Sequence, residues 1–433
     1  MKDLIKRIQK KDCRCAVIGL GYVGLPLAVE LAKVGFEVVG IDIDKTKVNL
    51  INQGQSYIQD VAQEDIQRLV KERKLSATNV FSALMTVDTI NICVPTPMRK
   101  SREPDISYII DASKHIARYL KKNQLIILES TTYPGTTEEV LLPMFEAGGL
   151  KAGKDFYLAF SPERVDPGNP QFNTKNIPKV IGGITSNCTE VAKTLYQQCL
   201  ENVIVVSSAK VAETVKLMEN TFRAVNIALA NEMALICHRM NIDVWEVINA
   251  AKTKPFGFMA FYPGPGIGGH CIPIDPFYLS WKSRLNGYDA RLIELAGEIN
   301  RAMPDYVVAK IQDALNANSK SLKDAKVLIL GVAYKKDVGD VRESPALSVI
   351  ELLEQKGAKV SYNDPFVPEL KIDGIDLKNH NLSAKNIKNF DCVAITTDHT
   401  SYDYKMIIDN AQIVVDTRNA IKEEYNGKNV VKI

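Results

Sequence analysis

Residues 263–276 read PGPGIGGHCIPIDP. Glycines this dense let a backbone wrap closely round a ligand. Cys271 follows them directly, and Asp275 lies four residues on. Pro273 and Pro276 are tolerated only in a first helical turn or outside a helix. The stretch PFYLSWKSRL that follows reads as helical, so Cys271 falls near a helix N-terminus, where the dipole favours a thiolate. Cys271 is therefore a candidate nucleophile. A buried, inert cysteine is the alternative, and it is the reading for the other seven. His270 stays open between general base, substrate contact and loop packing. Lys216 and Asn220 stand i, i+4 on one helical stretch and share a face. An ammonium and a carboxamide there could stabilise an oxyanion, although on pattern alone a solvated face is the stronger reading.

A second constellation lies at the N-terminus. Residues 15–18 (CAVI) read as a buried strand, Leu25 to Val34 as a helix stopped by Gly35, and Phe36 to Ile41 as a second strand. Gly19-x-Gly21-x-x-Gly24 joins the first strand to the helix. The first glycine permits a tight turn, the second lets a pyrophosphate approach the backbone, and the third lets helix and strand pack closely. The helix N-terminus offers N–H groups to phosphate. Asp42 ends the second strand, where a carboxylate accepts bonds from ribose hydroxyls and repels a 2′-phosphate. The expected cofactor is NAD rather than NADP, with Lys45 and Lys47 nearby pulling slightly the other way.

Further strand candidates are 89–94, 125–129, 156–160 and 203–206, with helical patterns between most of them. This alternation implies a parallel, doubly wound sheet. Residues 209–251 and 288–317 carry a helical period without strand signal, broken near Asn241 and interrupted by the Gly/Pro-rich loop. Strands at 326–330, 359–362, 392–396 and 412–415, with a helix over 344–355, restore the alternation. The expected fold class is α/β: two Rossmann-like doubly wound α/β domains joined by a central helical segment. The boundaries are 1–207 for a dinucleotide domain, 208–318 for the helical segment with the cysteine loop, and 319–433 for a second α/β domain.

The 433 residues are 46% hydrophobic and 24% charged, an ordinary globular composition that excludes disorder as a whole-chain reading. The formal charge of +3 suggests neither a nucleic acid nor an anionic membrane as partner. Eight cysteines scattered over this length do not make a disulfide scaffold. Cys13 and Cys15 are followed by no second ligand pair at zinc spacing, so no metal is expected. The basic then apolar N-terminus imitates a signal peptide, but its apolar run holds the three glycines and lacks a cleavage site. The longest uncharged stretch, residues 255–274, holds four prolines and five glycines and cannot be a membrane helix. A soluble, cytoplasmic protein with reduced thiols is expected.

The motifs GLGYVGLP, STTYPGTT (130–137), SPERVDPG (161–168), KLMEN (216–220), GGHCIPIDP (268–276) and YKKDVGDVRESPA (334–346) occur in this order. Together they resemble the UDP-glucose/GDP-mannose dehydrogenase family over essentially the whole chain. The resemblance implies a four-electron oxidation of a sugar C6 alcohol to a carboxylate with two NAD+, by way of a thiohemiacetal and a thioester on a cysteine. It implies Cys271 as nucleophile, Lys216 and Asn220 as oxyanion donors, and Asp275 working with Lys216 on water or proton transfer. Glu163 would position the hydrolytic water or act as base, and Thr131 would contact the cofactor or that water. Cofactor contacts would come from Gly19, Gly21, Tyr22, Val23, Gly24, Asp42, Lys47, Pro95, Thr96, Thr131 and Arg342. Substrate contacts would come from Glu163, Arg164, Lys216, Asn220, Tyr262, Gly266, Gly268, His270, Lys335 and Arg418. The second α/β domain would hold the uridine diphosphate, with the reactive carbon in a cleft between domains and a homodimer formed through the central helices.

The loop form is most similar to the branch of the family acting on UDP-N-acetylhexosamines, with UDP-N-acetylglucosamine expected first and a surface-polysaccharide precursor as product. The N-acetylmannosamine and N-acetylgalactosamine epimers are the near alternatives. UDP-glucose enzymes tend to carry a small or aromatic residue before the cysteine and a lysine before the aspartate. His270 and Ile274 stand there instead, which points away from glucose. In STTYPGT the proline comes one position later than the usual pattern, leaving Thr131 and Thr132 both open. Two other readings use the same residues. A β-hydroxyacid dehydrogenase needs neither the cysteine nor the C-terminal domain. A non-catalytic NAD- or nucleotide-sugar-binding protein needs no intact Cys271, Lys216, Asn220 and Asp275.

Overall fold

Strands buried on both faces need apolar side chains at every position, and the first half of the chain supplies them in short runs. A computed structural model of the chain describes all residues except 59, 100–102, 166–170, 173, 373 and 422–428. Eight strands form one sheet: β1 Arg14–Ile18, β2 Glu37–Ile41, β3 Leu75–Thr78, β4 Thr89–Ile92, β5 Leu125–Leu128, β6 Tyr157–Phe160, β7 Lys179–Gly183 and β8 Val203–Val205. Their order is β3-β2-β1-β4-β5-β6-β7-β8. Every pairing is parallel except β6 with β7. Alternation along β1 sends Cys15 and Val17 into one core layer and Ala16 and Ile18 into the other. The order reverses between β1 and β4, and open α/β sheets bind ligands beyond the carboxyl ends of strands at such a reversal.

The second half repeats the plan. Strands β9 Lys326–Leu330 and β10 Lys359–Asn363 pair in parallel. The antiparallel hairpin β11 Glu369–Ile372 and β12 Ile375–Lys378 follows. Then β13 Cys392–Ile395, β14 Val414–Asp416 and β15 Val430–Lys432 complete a parallel sheet ordered β10-β9-β13-β14-β15. Val327 and Ile329 face one core layer, Leu328 and Leu330 the other. The fold class expected from the sequence is the one observed.

In the sequence, the helices Ala209–Arg239, Val244–Ala251, Asp275–Leu285 and Arg291–Ala317 come between the strands of the two sheets. Two residues past the first, Asn241 adopts a left-handed φ of 55°, and Asp243 then caps the second by accepting from Trp245 and Glu246 N–H. The chain divides into two compact units, Met1–Glu219 with Phe277–Tyr288, and Asn220–Pro276 with Asp289–Ile433. The helical middle is shared between them. Among the described residues no helix is long and apolar enough to cross a membrane.

Several elements escaped the sequence reading: in the second sheet and its hairpin β11, β12 and β15, and in the first unit three more. The basic N-terminus that imitates a leader is a helix, Lys2–Lys10, held by buried Leu4 and Ile8 and by a bidentate Arg7–Asp88 pair at 2.8 Å. Strand β3 (LSAT) is short and half polar. Strand β7 begins with a lysine and ends in two glycines, which reads as a loop until its neighbours are known.

Candidate active site

In the first unit the sequence motifs follow the carboxyl ends of β1, β4, β5 and β6 and so line one edge of the sheet. Gly19 takes φ +90°, and a Cβ there would stand 2.5 Å from the Cys93 carbonyl oxygen. A Cβ on Gly24 would stand 1.8 Å from the Gly19 carbonyl oxygen, whereas one on Gly21 would meet nothing within 4 Å. The chain itself therefore demands the outer two glycines. The middle one faces open space at the start of the helix Gly24–Lys33, the opening a pyrophosphate needs.

Asp42 Oδ2 accepts from Leu20 N–H at 2.8 Å, and Oδ1 accepts from Asp44 N–H at 2.9 Å. Lys47 Nζ lies 3.8 Å from Oδ2. Tyr22 and Pro95 are exposed, while Val23 and Thr96 are half-buried. The Thr96 carbonyl accepts from the Tyr278 hydroxyl at 2.5 Å.

Thr131 is half-buried after β5. Thr132 is buried and its hydroxyl is paired with Thr136 Oγ1 at 2.6 Å. Of the two threonines left open by the sequence, only Thr131 is accessible. The loop beyond is fastened by Glu213, which accepts from Gly135 N–H at 2.5 Å and from Thr137 N–H and Oγ1–H at 2.9 and 2.7 Å. Burial pushes the Glu213 carboxyl up to about 7, against the pull of those donors and of Lys210.

Glu163 follows β6. Its Oε1 accepts from Arg164 N–H at 2.8 Å and Val165 N–H at 2.9 Å, and its Oε2 accepts from Lys179 Nζ at 3.0 Å. Burial alone would raise this carboxyl, but Lys179 and the two amides hold it below its ordinary value. Lys179 also donates to Glu129 Oε2 at 2.6 Å. Glu129 Oε1 in turn accepts from Asn91 Nδ2 at 2.7 Å and from the Tyr196 hydroxyl. Burial would strip the Lys179 proton, yet the two carboxylates raise its pKa. Arg164 pairs with Glu219 through Nη2 and Nε, at 2.6 and 3.1 Å. The last three residues of SPERVDPG lie outside the described residues.

Lys216 and Asn220 share one helix and are 7% and 6% exposed. The solvated face that pattern alone favoured is therefore absent. In the second unit Asn220 Nδ2 donates to Asp275 Oδ2 at 2.5 Å. Asp275, 3% exposed, is the first residue of its helix. The Cys271 carbonyl accepts from Ile274 and Asp275 N–H at 3.1 and 2.8 Å, which closes a turn and sets Cys271 immediately before that helix. Cys271 is partly exposed, and the other seven cysteines are buried.

The glycines ahead of Cys271 have a structural explanation that the sequence did not supply. A Cβ on Gly268 would meet Tyr334 Cβ at 2.6 Å, and one on Gly269 would meet the Tyr334 ring at 2.9 Å. Gly266 packs against Pro345 in the same way. The loop thus lies on the YKKDVGDVRESPA segment, and Gly269 N–H donates to the Arg342 carbonyl at 3.2 Å. Gly264 N–H donates to Asn231 Oδ1 at 3.0 Å, and Asn231 is held by Asn300 at 2.9 Å.

Arg418 sits over Gly264, with Nη1 2.6 Å from where a Cβ would be, and its Nε donates to the Thr396 carbonyl at 3.0 Å. Burial lowers the pKa of that guanidinium. Arg342 is engaged bidentately by Asp340 at 2.8 and 2.6 Å. The packing round His270 and the Arg342 cation push its imidazole below the ordinary range, so it is neutral at pH 7 although its surface remains exposed. Tyr262 stacks on Trp245 and donates to Asn249 Oδ1 at 3.2 Å. Lys335 is half-buried.

The candidate residues therefore form two groups, each joined within its own unit. Gly19, Gly21, Tyr22, Val23, Gly24, Asp42, Lys47, Pro95, Thr96, Thr131, Glu163, Arg164 and Lys216 belong to the first. Asn220, Tyr262, Gly266, Gly268, His270, Cys271, Asp275, Lys335, Arg342 and Arg418 belong to the second. Sequence reasoning missed Glu129, Lys179, Glu213, Asn231 and Asn300. For Glu129, a carboxylate directly after the apolar run 125–128, that position was the available signal; the others stand among polar neighbours or need partners distant in the chain.

The chain matches three family models. These are the UDP-glucose/GDP-mannose dehydrogenase family NAD binding domain over residues 13–200, its central domain over 210–302 and its UDP binding domain over 328–423. It is 36% identical to a UDP-N-acetyl-D-mannosamine dehydrogenase of Pyrococcus horikoshii, over 96% of this chain and 97% of that protein. It is 35% identical to a UDP-N-acetyl-D-glucosamine 6-dehydrogenase of Pseudomonas aeruginosa, over 92% and 98%. The solved structure of a UDP-D-ManNAc dehydrogenase from Pyrococcus horikoshii superposes with a TM-score of 0.89 at 36% identity, covering 97% of this chain and 99% of that one.

Proposed function

Because the chain belongs to the UDP-glucose/GDP-mannose dehydrogenase family, we propose that it oxidises C6 of a UDP-N-acetylhexosamine to the carboxylate. The observation that carries this reading is Cys271, the partly exposed cysteine, on a turn closed against a helix whose first residue, Asp275, is held by Asn220. Residues 1–207 would hold the cofactor, 319–433 the uridine diphosphate, and 208–318 would bring the nucleophile.

Gly19, Gly21, Gly24 and Asp42 would hold NAD+, which when bound would supply the hydride acceptor for both oxidations. Lys216 and Asn220 donate to the C6 oxygen as it gains negative charge, in a setting where little water competes. The Cys271 sulfur adds to the C6 aldehyde, so the reactive carbonyl stays bound, and the same sulfur is the leaving group when water cleaves the resulting thioester. Asp275, fixed by Asn220, takes part in proton transfer with Lys216. Glu163 accepts a hydrogen bond from the attacking water, with Thr131 beside it. One water is consumed and the C6 carbon loses two hydrides.

Between epimers, N-acetylmannosamine is the sugar to test first. It is the substrate named both for the Pyrococcus horikoshii relative and for the superposed structure. N-acetylglucosamine, expected from the loop form, is named for the Pseudomonas aeruginosa relative. The test incubates the protein with each UDP-sugar and NAD+ and counts NADH. Two NADH per sugar with one epimer strongly preferred supports the reading. One NADH with accumulating aldehyde contradicts the hydrolytic half, and binding of both ligands without NADH points to a non-catalytic protein.

A homodimer through the central helices belongs to the same proposal. Val211, Met218, Phe222, Leu229 and Ile236 are all exposed on the helix Ala209–Arg239. Most stand seven residues apart, which makes a stripe that one copy could bury against another.

A further inference from the structure

We propose that Lys179 is a positioning residue for thioester hydrolysis: its ammonium fixes Glu163 Oε2 and keeps that carboxylate directed at the attacking water. The proposal rests on the role given above to Glu163. Its basis is the single antiparallel pairing in the first sheet. Phe160 on β6 is opposite Gly182 on β7, and the same register continued by three residues puts Glu163 opposite Lys179. Reversing β7 thus brings its first residue to the edge where the parallel strands end.

The position is strictly held. Lys179 is 4% exposed and bridges Glu163 to Glu129, itself 1% exposed and anchored by Asn91 and Tyr196. A buried ammonium is costly without partners, and a β-branched apolar residue would serve the sheet better. Its presence is explained by what it does to Glu163. A carboxylate has about four acceptor positions. Among the described residues, two amides and Lys179 take three of those on Glu163. One on Oε2 is left for water.

The charged and titratable groups around Glu163 are Lys179 on β7, Glu129 after β5, Cys93 after β4 and Tyr196 on the helix Ser186–Tyr196. Beside it Arg164 is paired with Glu219. Lys179 is the cation among them that bonds Glu163 through its side chain. Without it burial would dominate and Glu163 would take up a proton at higher pH, losing the acceptor.

The test compares Lys179→Met, Lys179→Arg and Glu163→Gln in the full-length enzyme. Lys179→Met is expected to lower kcat about tenfold or more, to leave KM for NAD+ within about twofold, and to move the acid limb of kcat up by roughly one to three pH units. Hydroxylamine cleaves a thioester to a hydroxamate and a thiol without needing a carboxylate base, and it should restore turnover. Lys179→Arg should keep the acid limb in place. An unmoved acid limb in Lys179→Met, or lost turnover that hydroxylamine does not restore, overturns the proposal. Full turnover in Glu163→Gln overturns the role of Glu163 itself, whereas an impaired Glu163→Gln beside a normal Lys179→Met overturns only the role of Lys179. If Lys179→Met fails to fold, Glu129→Gln with Lys179→Met keeps the native net charge and carries the same readouts.

Discussion

The glycine fingerprint makes a contrast that separates folding from binding. At Gly24 an added methyl would lie 1.8 Å from a backbone oxygen, an obstacle that cannot rotate away. Overpacking typically costs about 1–3 kcal/mol and occasionally more, and the Gly19 carbonyl at 1.8 Å with Cys93 Cβ at 3.1 Å puts Gly24→Ala at or beyond the upper end. For a unit of this size, about 3 kcal/mol corresponds to a fall in Tm of roughly 6–12 °C. At Gly21 nothing lies within 4 Å, and its φ is not positive. Gly21→Ala should therefore leave Tm unchanged or raise it, because alanine restricts the unfolded chain by about 0.4–1 kcal/mol. Its methyl nonetheless occupies the space assigned to the pyrophosphate. A loss of about 1.4 kcal/mol or more in cofactor binding would appear as a tenfold or greater rise in KM for NAD+. Thermal melts followed by circular dichroism and NADH formation against NAD+ concentration read the two effects separately. If Gly21→Ala melts several degrees low, or binds NAD+ as the native chain does, the cradle has been misread.

Three further outcomes are expected. Glu213→Gln should abolish a pH dependence of stability. Burial raises the folded pKa to about 7, above the unfolded value, so the native chain should lose roughly 3 kcal/mol between about pH 4.5 and 8 relative to the variant. Denaturant midpoints at pH 5 and pH 8 measure it, and parallel behaviour of the two proteins would contradict it. Cys271→Ala should lower turnover about a thousandfold or more while NAD+ binding, measured by fluorescence quenching, stays unchanged. Met218→Lys with Leu229→Lys should convert a dimer to a monomer in light scattering, because both side chains lie exposed on the stripe. A monomeric native protein would remove that part of the proposal.

The fold was largely legible because its signals are local. Apolar strand, glycine turn, amphipathic helix and Gly35 are read from consecutive residues, and the two parallel sheets follow from their alternation. What was not legible depends on partners far apart in the chain. Lys179 looks like a solvated cation until Glu129 and Glu163 are brought to either side of it. Glu213 is one carboxylate among many on a long helix until Gly135 and Thr137 are found to bond it. The cysteine loop shows the same limit from the other side. Its glycine density was read as room for a ligand, but Gly266, Gly268 and Gly269 are required by Pro345 and Tyr334. Local composition announced close approach and could not say to what.

The two sheets show how one plan serves two kinds of phosphate. In the first, residues 19–23, five in all, connect β1 to a helix beginning at Gly24, so backbone N–H groups and the helix end are available for a pyrophosphate. In the second, residues 331–344, fourteen in all, separate β9 from a helix beginning at Pro345. That longer connection carries Lys335, which would meet phosphate with side-chain charge.

The acid at the end of the next strand differs too. Asp42 accepts one N–H on each oxygen, leaving room for a ribose diol. Asp364 accepts Val332 and Ala333 N–H and His399 Nε2–H on Oδ2, and Phe366 N–H on Oδ1. His399 takes this tautomer because its Nδ1 accepts from Asp337 N–H at 2.9 Å. The ribose-binding position of the second sheet is thus filled by the protein's own donors, which also fix the turn carrying Lys335. A half so arranged has lost the means to hold the adenosine of a dinucleotide. It has instead a longer, fixed connection carrying Lys335, which suits the UDP binding domain of the family it matches.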